Sequence, residues 1–324
     1  MTKLKIYDCS LNSFAPKHRT ESLGPKENDL MFDLKRYQDY LDVIFVDDYK
    51  LADRIITNTT YTPEIINWSK KNSIPLIKRM DGVFWRYDLI DRNIPLNEAA
   101  YQSDIVIFIS KFSQDSYHKL YGDNLKNECV ILNNVDETIF KPDEFGIRRK
   151  YIKIWGTSAT NWCRDEKRPS DLLKFADMIS DDERILTIGK SLEINHPKII
   201  GRGYFTDYDE LSEEINCVDA WVNFSYRYAA PKTVLQAISC GKPVLYANSG
   251  GLQELVGDYG IAIDDNKEID FSHNNYELDF NIVMEKCELF KRNYEKNLFK
   301  KPEKKKYIDT LKDYINIIKN HENI

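Results

Sequence analysis

Short apolar runs alternate with longer amphipathic segments along most of the chain. This alternation is typical of parallel α/β layers, because each buried strand is followed by a segment that crosses back over the sheet. In the first half, the pattern predicts strands at residues 4–9, 43–46, 54–58, 76–80, 105–110 and 129–132. In the second half, it predicts strands at residues 152–155, 185–188, 198–200, 220–224, 244–246 and 261–263. The predicted fold class is α/β.

The segments between the strands have apolar positions three or four residues apart, the spacing of an amphipathic helix. They predict helices at residues 29–40, 63–71, 112–120, 170–179, 208–216, 233–239 and 251–256. Residues 276–299 form a longer helical segment that ends before Pro302. After it, Ile308, Leu311, Ile315 and Ile318 make a last apolar stripe.

A polar stretch divides the two sets of strands. Residues 140–146 include Pro142 and Gly146 and precede the basic Arg148-Arg149-Lys150, the composition of a linker. This predicts an N-terminal domain at 1–147, a second domain at 148–299 and a C-terminal helix at 300–324. Two α/β halves that face each other would form a cleft between them, where a ligand is expected.

Composition narrows the function classes. In this chain of 324 residues, 46 basic and 52 acidic side chains give a net charge of -6, so no overall positive field favours nucleic acid. No apolar run approaches the ~20 residues of a spanning helix, and the start lacks the apolar stretch of a signal peptide. The six cysteines are scattered without a Cys-x-x-Cys pair, which argues against a zinc site and a disulfide framework. We expect a cytoplasmic protein.

Lysines and arginines crowd residues 291–306. They are either the solvated side of a helix pair or a basic surface for peripheral contact with anionic lipid.

Residues 229–257 carry the clearest candidate chemistry. Pro231 stands where a helix begins, and a first helical turn leaves about four backbone N–H groups without partners. Together with the positive end of the helix dipole, these groups stabilise an anion such as phosphate. Gly241 ends this helix, and Gly250-Gly251 opens another. The alternative is an ordinary pair of helix–strand turns.

Three segments resemble glycosyltransferase family 4, whose members are nucleotide-sugar enzymes of the GT-B fold. They are AISCGKPV at 237–244, followed by Gly250-Gly251 and Glu254; SDIVIFISK at 103–111; and VILNNVDETIFKP at 130–142. The resemblance covers most of residues 75–265. It implies two Rossmann-like domains facing across an interdomain cleft, an acceptor domain followed by a donor domain, and a last helix that crosses back to the first.

The resemblance also implies an activity. It is transfer of a hexose from a UDP- or GDP-sugar to a glycan, lipid-linked sugar or glycoprotein, with retention and without a metal. No cofactor is expected besides this donor substrate, and no nucleic acid is an expected partner.

Several site residues follow from the resemblance. In relatives, an arginine and a lysine after the first strand of the donor half bind the diphosphate. The matching residues here are Arg164 and Lys167. Gly156 would allow close backbone approach beside Thr157, and Gly203 and Tyr204 lie where relatives hold the base. The helix opening contributes Pro231, Lys232 and Thr233.

The chain departs from the family at two carboxylates. Relatives carry glutamates eight positions apart, and here Tyr228 and Gln236 occupy those positions. Gln236 can still hydrogen-bond a ribose hydroxyl, whereas Tyr228 cannot act as a carboxylate nucleophile. Front-face substitution, in which the leaving phosphate takes the acceptor proton, needs no protein base there. Asp81 matches a histidine that contacts the sugar in relatives, and it either does the same or caps a turn.

Three alternatives remain open. Asp47-Asp48 after a predicted strand would suit a metal-dependent GT-A enzyme, or a solvated turn. The missing glutamates would suit a non-catalytic GT-B protein that binds nucleotide or a partner glycosyltransferase. Sugar-nucleotide epimerases share the fold as well.

Overall fold

A computed structural model of the chain describes residues 3–9, 34–57, 63–84, 87–143, 148–190, 195–264 and 277–320. The chain divides into two compact units. Unit 1 is Met1–Asn133 with Lys305–Ile324, and unit 2 is Asn134–Lys304. Each unit contains one parallel six-stranded sheet with helices, so the prediction of an α/β fold is confirmed.

Unit 1 is built from short buried strands. Its strands are β1 (Leu4–Asp8), β2 (Val43–Phe45), β3 (Arg54–Thr57), β4 (Leu76–Met80), β5 (Ile105–Phe108) and β6 (Glu128–Val130), in the order β2-β1-β3-β4-β5-β6. Between them lie α1 (Pro63–Lys71), α2 (Asn93–Gln102) and α3 (Lys111–Tyr121). Every residue of β4 and β5 is buried, as expected of parallel strands covered on both faces.

Unit 1 and unit 2 have the two common strand orders of doubly wound sheets, and the order of unit 2 differs from that of unit 1. Its strands are β7 (Ile154–Asn161), β8 (Arg184–Lys190), β9 (Ile199–Gly203), β10 (Ala220–Asn223), β11 (Val244–Ala247) and β12 (Gly260–Ile263), in the order β12-β11-β10-β7-β8-β9. Its helices are α4 (Pro169–Met178), α5 (Tyr208–Asn216), α6 (Lys232–Ser239), α7 (Leu252–Val256) and α8 (Phe280–Glu295). Counted within the unit, this is the strand order 3-2-1-4-5-6.

Each unit has its own core. In unit 2, the Trp155 ring packs against Phe175 and Phe290, with centroids 5.3 and 5.4 Å apart. In unit 1, the last helix α9 (Tyr307–Asn320) buries Leu311 and Ile315 in the same cluster as Ile6 and Ile77. The Arg54 Nε donates to the Ile318 carbonyl at 3.0 Å, which ties α9 to β3.

The segment before the predicted linker packs in unit 2. The Ser212 hydroxyl donates to the Ile139 carbonyl at 2.8 Å, and the Asn216 amide donates to the Lys141 carbonyl at 3.0 Å. These contacts explain why unit 2 begins at Asn134 rather than at residue 148, where the second domain was predicted to begin.

Most predicted strands are found within a few residues of their expected ends. The main difference is β7, which was predicted to end at Trp155 but continues to Asn161, because its pairing with β8 extends to Asn161 and Lys190. The small polar residues Thr157 and Ser158, read from sequence as loop, are buried in this strand. Of the predicted helix at 29–40, residues 29–33 lie outside the described residues. Within the described part, no helix has the length and apolar character needed to cross a membrane.

Candidate functional site

The sheet order of unit 2 creates one topological switch point, between β7 and β10. Connections leave these neighbouring strands in opposite directions, which opens a crevice at their carboxyl ends. β7 leads into residues 162–168, called here the β7 loop, and β10 leads into residues 224–231, the β10 loop. The candidate site is therefore expected where these two loops meet.

The two loops are bonded to each other. The Tyr226 N–H donates to the Glu166 carbonyl at 2.8 Å. The Arg168 Nη1 donates to the Phe224 carbonyl at 3.2 Å. Segments that are about sixty residues apart in sequence thus form one surface at the switch point.

Lys167 is the cation at the centre of this contact. Its side chain is buried, and its Nζ lies 3.5 Å from the centroid of the Tyr228 ring. A ring face attracts an ammonium group through its quadrupole without cancelling the charge, as a carboxylate would. The structure therefore brings together two predicted site residues, one from each loop.

Arg164 is placed differently from its predicted clamp partner. It is exposed and forms an ion pair with Glu166 inside the β7 loop.

Two further arginines in these loops were not singled out from the sequence. The guanidinium carbons of Arg168 and Arg227 lie 5.0 and 4.6 Å from the centroid of one ring, that of Tyr226. Both arginines are buried and have left-handed backbone, with φ of 52° and 48°. Such conformations are uncommon outside glycine, so no sequence signal marks these positions.

The opening of α6 lies directly after the β10 loop. Pro231 is the N-cap residue, Lys232 and Thr233 are half-buried in the first turn, and that turn has no acidic residue. The Val234 N–H already bonds to the Pro231 carbonyl at 3.1 Å. The positive end of the helix dipole is thus not neutralised by an acidic side chain of its first turn.

Gln236 lies one turn further along α6. Its side chain is 5% exposed, and its Oε1 accepts no hydrogen bond from the described residues. A buried oxygen without a donor costs about 1–3 kcal/mol. A ligand hydroxyl at this oxygen would remove that cost.

The β10 loop is fixed from its other side by the turn after β11. The Arg227 N–H donates to the Ser249 hydroxyl at 2.7 Å, and the Gly251 N–H donates to the Tyr228 carbonyl at 3.0 Å. Gly250 has φ of +84°, and a Cβ there would lie 2.4 Å from the Tyr228 carbonyl oxygen. Only glycine fits at this close approach.

Gly156 and Thr157 do not lie in the β7 loop, where the sequence analysis expected them. Both are inside β7, because the strand is longer than predicted. A Cβ at Gly156 would be 2.5 Å from the Trp221 ring and 2.9 Å from Val218. The missing side chain thus makes room for Trp221.

Gly203 and Tyr204 lie at the end of β9, which is separated from β7 by β8. Gly203 is exposed with φ of +78°, and the Lys190 Nζ lies 5.0 Å from the centroid of the Tyr204 ring. These two residues form a second group at the same end of the sheet, apart from the switch point.

Asp81 belongs to unit 1, directly after β4. It forms an ion pair with the buried Arg79, whose Nη2 donates to the Asn133 side chain at 2.9 Å. Burial disfavours the charged form of Arg79, but the charges of Asp81 and Tyr314 outweigh it, so the pKa of Arg79 is raised. Of the rival metal pair, Asp48 accepts from the Lys50 N–H at 2.9 Å and caps the turn Tyr49–Leu51.

No family model and no curated protein matches the chain, but solved structures do. HepE from Anabaena in complex with UDP-glucose has a TM-score of 0.65 at 15% identity, covering 97% of this chain and 98% of that one. A glycosyltransferase from Rickettsia africae has a TM-score of 0.61 at 15% identity, covering 100% of both chains. Sucrose-phosphate synthase from Thermosynechococcus elongatus has a TM-score of 0.58 at 14% identity, covering 93% of this chain and 76% of that one.

These neighbours are GT-B glycosyltransferases. The chain has their fold, an α/β architecture with two Rossmann-like domains, as the sequence predicted.

Proposed function

We propose that the protein is a retaining glycosyltransferase of the family 4 type. It transfers a hexose from a UDP- or GDP-sugar to a hydroxyl of a glycan, lipid-linked sugar or glycoprotein, with no metal in the transfer step. The observation that carries the proposal is the contact between Lys167 and Tyr228 at the switch point of unit 2, beside the opening of α6. The structures of HepE with UDP and with UDP-glucose support the choice of donor class.

The diphosphate would bind where the cations and the helix opening meet. Lys167 and the first turn of α6 stabilise the negative charge that develops on the leaving group. Arg164 would leave Glu166 and join them when the donor binds. In this arrangement, the protein supplies positive charge that a metal supplies in other transferases.

The remaining predicted residues take roles around the diphosphate. Gln236 would accept a ribose hydroxyl at its buried Oε1, and Tyr228 would border the sugar. Gly203 and Tyr204 would contact the base, and Asp81 a sugar hydroxyl. Gly156 and Thr157, which lie inside β7, would border the donor from within that strand.

The absence of a carboxylate at positions 228 and 236 favours front-face substitution over double displacement. The bond between the anomeric carbon and the phosphate oxygen breaks, and the acceptor oxygen attacks from the same face. The acceptor proton passes to the departing phosphate oxygen. The anomeric configuration is retained without a covalent enzyme intermediate.

The proposed enzyme is cytoplasmic, and the basic residues at 291–306 are its candidate lipid contact. Several of these lysines are bonded within the protein, however. Lys291 donates to Glu183 at 2.6 Å, Lys301 donates to the Ser239 carbonyl at 2.9 Å, and Lys305 pairs with Asp313. These bonds favour the solvated helix pair over peripheral membrane contact.

A second function is a GT-B protein that binds nucleotide or a partner glycosyltransferase without turnover. The replacement of both family glutamates by Tyr228 and Gln236 favours it. In its nucleotide-binding form, it shares the donor site with the first proposal and differs only in product formation.

The test combines calorimetry and product analysis on the full chain. We expect UDP or GDP to bind, and the matching nucleotide sugar to yield a glycosylated acceptor detected by mass spectrometry. Lys167→Ala should weaken nucleotide binding at least about tenfold, equal to about 1.4 kcal/mol. Lys312→Ala is the matched control, since the Lys312 Nζ lies 5.2 Å from the centroid of the Tyr40 ring in unit 1. Nucleotide binding without product would favour the non-catalytic function, and no binding of either nucleotide would contradict the first function and the nucleotide-binding form of the second.

A further inference from the structure

A separate group of possible metal ligands lies in unit 1, where α3 ends and β6 begins. It consists of His118 in the last turn of α3, Asp123 in the following turn and Glu128, the first residue of β6. One ligand atom of each lies within 4.8 Å of the other two. We propose that these three side chains bind a Zn²⁺ ion that links α3 to β6.

The distances suit a tetrahedral ion. The His118 Nε2 lies 2.9 Å from the Glu128 Oε2 and 3.8 Å from the Asp123 Oδ1. Ligands at about 2.0–2.1 Å from zinc in a tetrahedron are about 3.3–3.4 Å from one another, so the two observed separations lie on either side of this value. Small side-chain rotations would place all three atoms around one ion.

The local fold orients the ligands. The Gly122 N–H bonds to the His118 carbonyl at 2.8 Å, and Gly122 adopts φ of +79°, so the chain turns sharply between His118 and Asp123. The Gln114 amide donates to the Glu128 Oε1 at 2.7 Å, which leaves the Oε2 directed at His118. Such a hydrogen bond to the other oxygen of a ligating carboxylate is typical of metal sites.

The chemistry of the donor set favours zinc. One imidazole nitrogen with two carboxylates suits Zn²⁺, whereas Ca²⁺ and Mg²⁺ prefer oxygen ligands alone and in greater number. The Asp123 side chain is 84% exposed, so the ion can enter from solvent and retain water as a fourth ligand. The cysteine spacing argues against a cysteine-based zinc site, and this group contains no cysteine.

The position suggests a structural ion. β6 has three residues and is the edge strand of its sheet, paired only with β5 among the described strands. An ion bound at Glu128 would hold this short strand to the end of α3. The competing explanation is a direct interaction of His118 with the two carboxylates and no ion between them.

The test is titration of the full chain, stripped with a chelator, with ZnCl₂ by calorimetry and by the thermal unfolding midpoint. We expect about one equivalent of Zn²⁺ to bind and the midpoint to rise, since an ion that binds only the native state stabilises it. MgCl₂ should give neither effect. Asp123→Asn keeps the shape of an exposed side chain, and we expect it to weaken Zn²⁺ binding at least about tenfold, since even the loss of a hydrogen-bond partner of a ligand costs about that much.

His196→Ala is the matched control. The His196 Nε2 lies 3.1 Å from the Asp177 Oδ1, a histidine–carboxylate pair that has no third candidate ligand among the described residues. Zn²⁺ binding should be unchanged in this variant and lost in His118→Ala. The proposal is overturned if the native chain binds no Zn²⁺, if Asp123→Asn binds it equally well, or if His196→Ala abolishes binding. None of these readouts depends on glycosyl transfer.

Discussion

The two sheets have the same number of strands and the same direction, but different orders. Within unit 1 the order is 2-1-3-4-5-6, and within unit 2 it is 3-2-1-4-5-6. The switch point therefore falls between β1 and β3 in the first sheet and between β7 and β10 in the second. The alternation of strands and helices in the sequence predicts both sheets equally well. It does not predict the order of the strands, and the position of a ligand site depends on that order.

The two units also differ in how they hold a buried cation near a strand end. In unit 1, Arg79 is matched by the Asp81 carboxylate. In unit 2, Lys167 lies over the Tyr228 ring. A carboxylate neutralises its cation, whereas a ring leaves the positive charge able to attract an anion. The proposed diphosphate site accordingly stays at the contact between Lys167 and Tyr228 in unit 2.

Replacing each of these two cations is expected to have the largest effects. In Arg79→Met, Asp81 loses its ion-pair partner, and we expect unit 1 to lose about 3 kcal/mol, the low end for a broken buried pair because Asp81 is partly exposed. In Lys167→Met, the contact between the Lys167 ammonium group and the Tyr228 ring is lost, and we expect a loss of about 1 kcal/mol in unit 2 together with loss of UDP binding. Native-state hydrogen exchange measures the free energy of unfolding of both units in one sample. Equal losses in the two variants would contradict the assigned difference.

The turn that supports the β10 loop can be broken at Gly250. In Gly250→Ala, the new Cβ would meet the Tyr228 backbone, and the left-handed φ adds strain, so we expect unit 2 to lose more than about 2 kcal/mol. Gly203→Ala is the control, because Gly203 also has a positive φ, of +78°, but open space around it. The control should lose only about 1 kcal/mol. Urea unfolding followed by tryptophan fluorescence separates the two, and identical midpoints would argue against the close approach.

Gly156→Ala tests whether Gly156 is needed for packing inside unit 2 or for binding of UDP. The added methyl group overlaps Trp221 and Val218, and we expect a loss of about 1–2 kcal/mol from overpacking. Affinity for UDP, measured by calorimetry below the unfolding range, should stay within about twofold because the residue lies inside the strand. A large loss of affinity in a folded variant would indicate that Gly156 contacts UDP directly.

Gln236→Leu tests the buried amide of α6. Replacing an oxygen without a partner by an apolar group of similar size should raise stability by about 1 kcal/mol. The same change should weaken UDP binding about tenfold, since the hydrogen bond to a ligand hydroxyl is lost. Gln236→Glu, which restores the carboxylate of the relatives, should keep UDP binding. Unchanged affinity in Gln236→Leu would remove this residue from the ribose site.

The sequence predicted the fold class and the approximate strand positions because buried parallel strands are nearly continuous apolar runs. It also singled out Lys167, Tyr228 and Gln236, through the resemblance of their surroundings to a family. The end of β7 was missed, since small polar residues are compatible with both strand and loop. The positions of Arg168 and Arg227 in the two loops were missed because both residues have a left-handed backbone. Tertiary contacts impose this conformation, and it cannot be predicted from the residue type.

The central claim is that a nucleotide diphosphate binds at the switch point of unit 2. Hydrogen–deuterium exchange of the full chain with and without saturating UDP tests it most directly, because it locates binding along the sequence. We expect slower exchange at residues 162–168 and 226–236, with no change around the end of α3. Slower exchange confined to unit 1, or binding of UDP with no protection of these two segments, would contradict the claim.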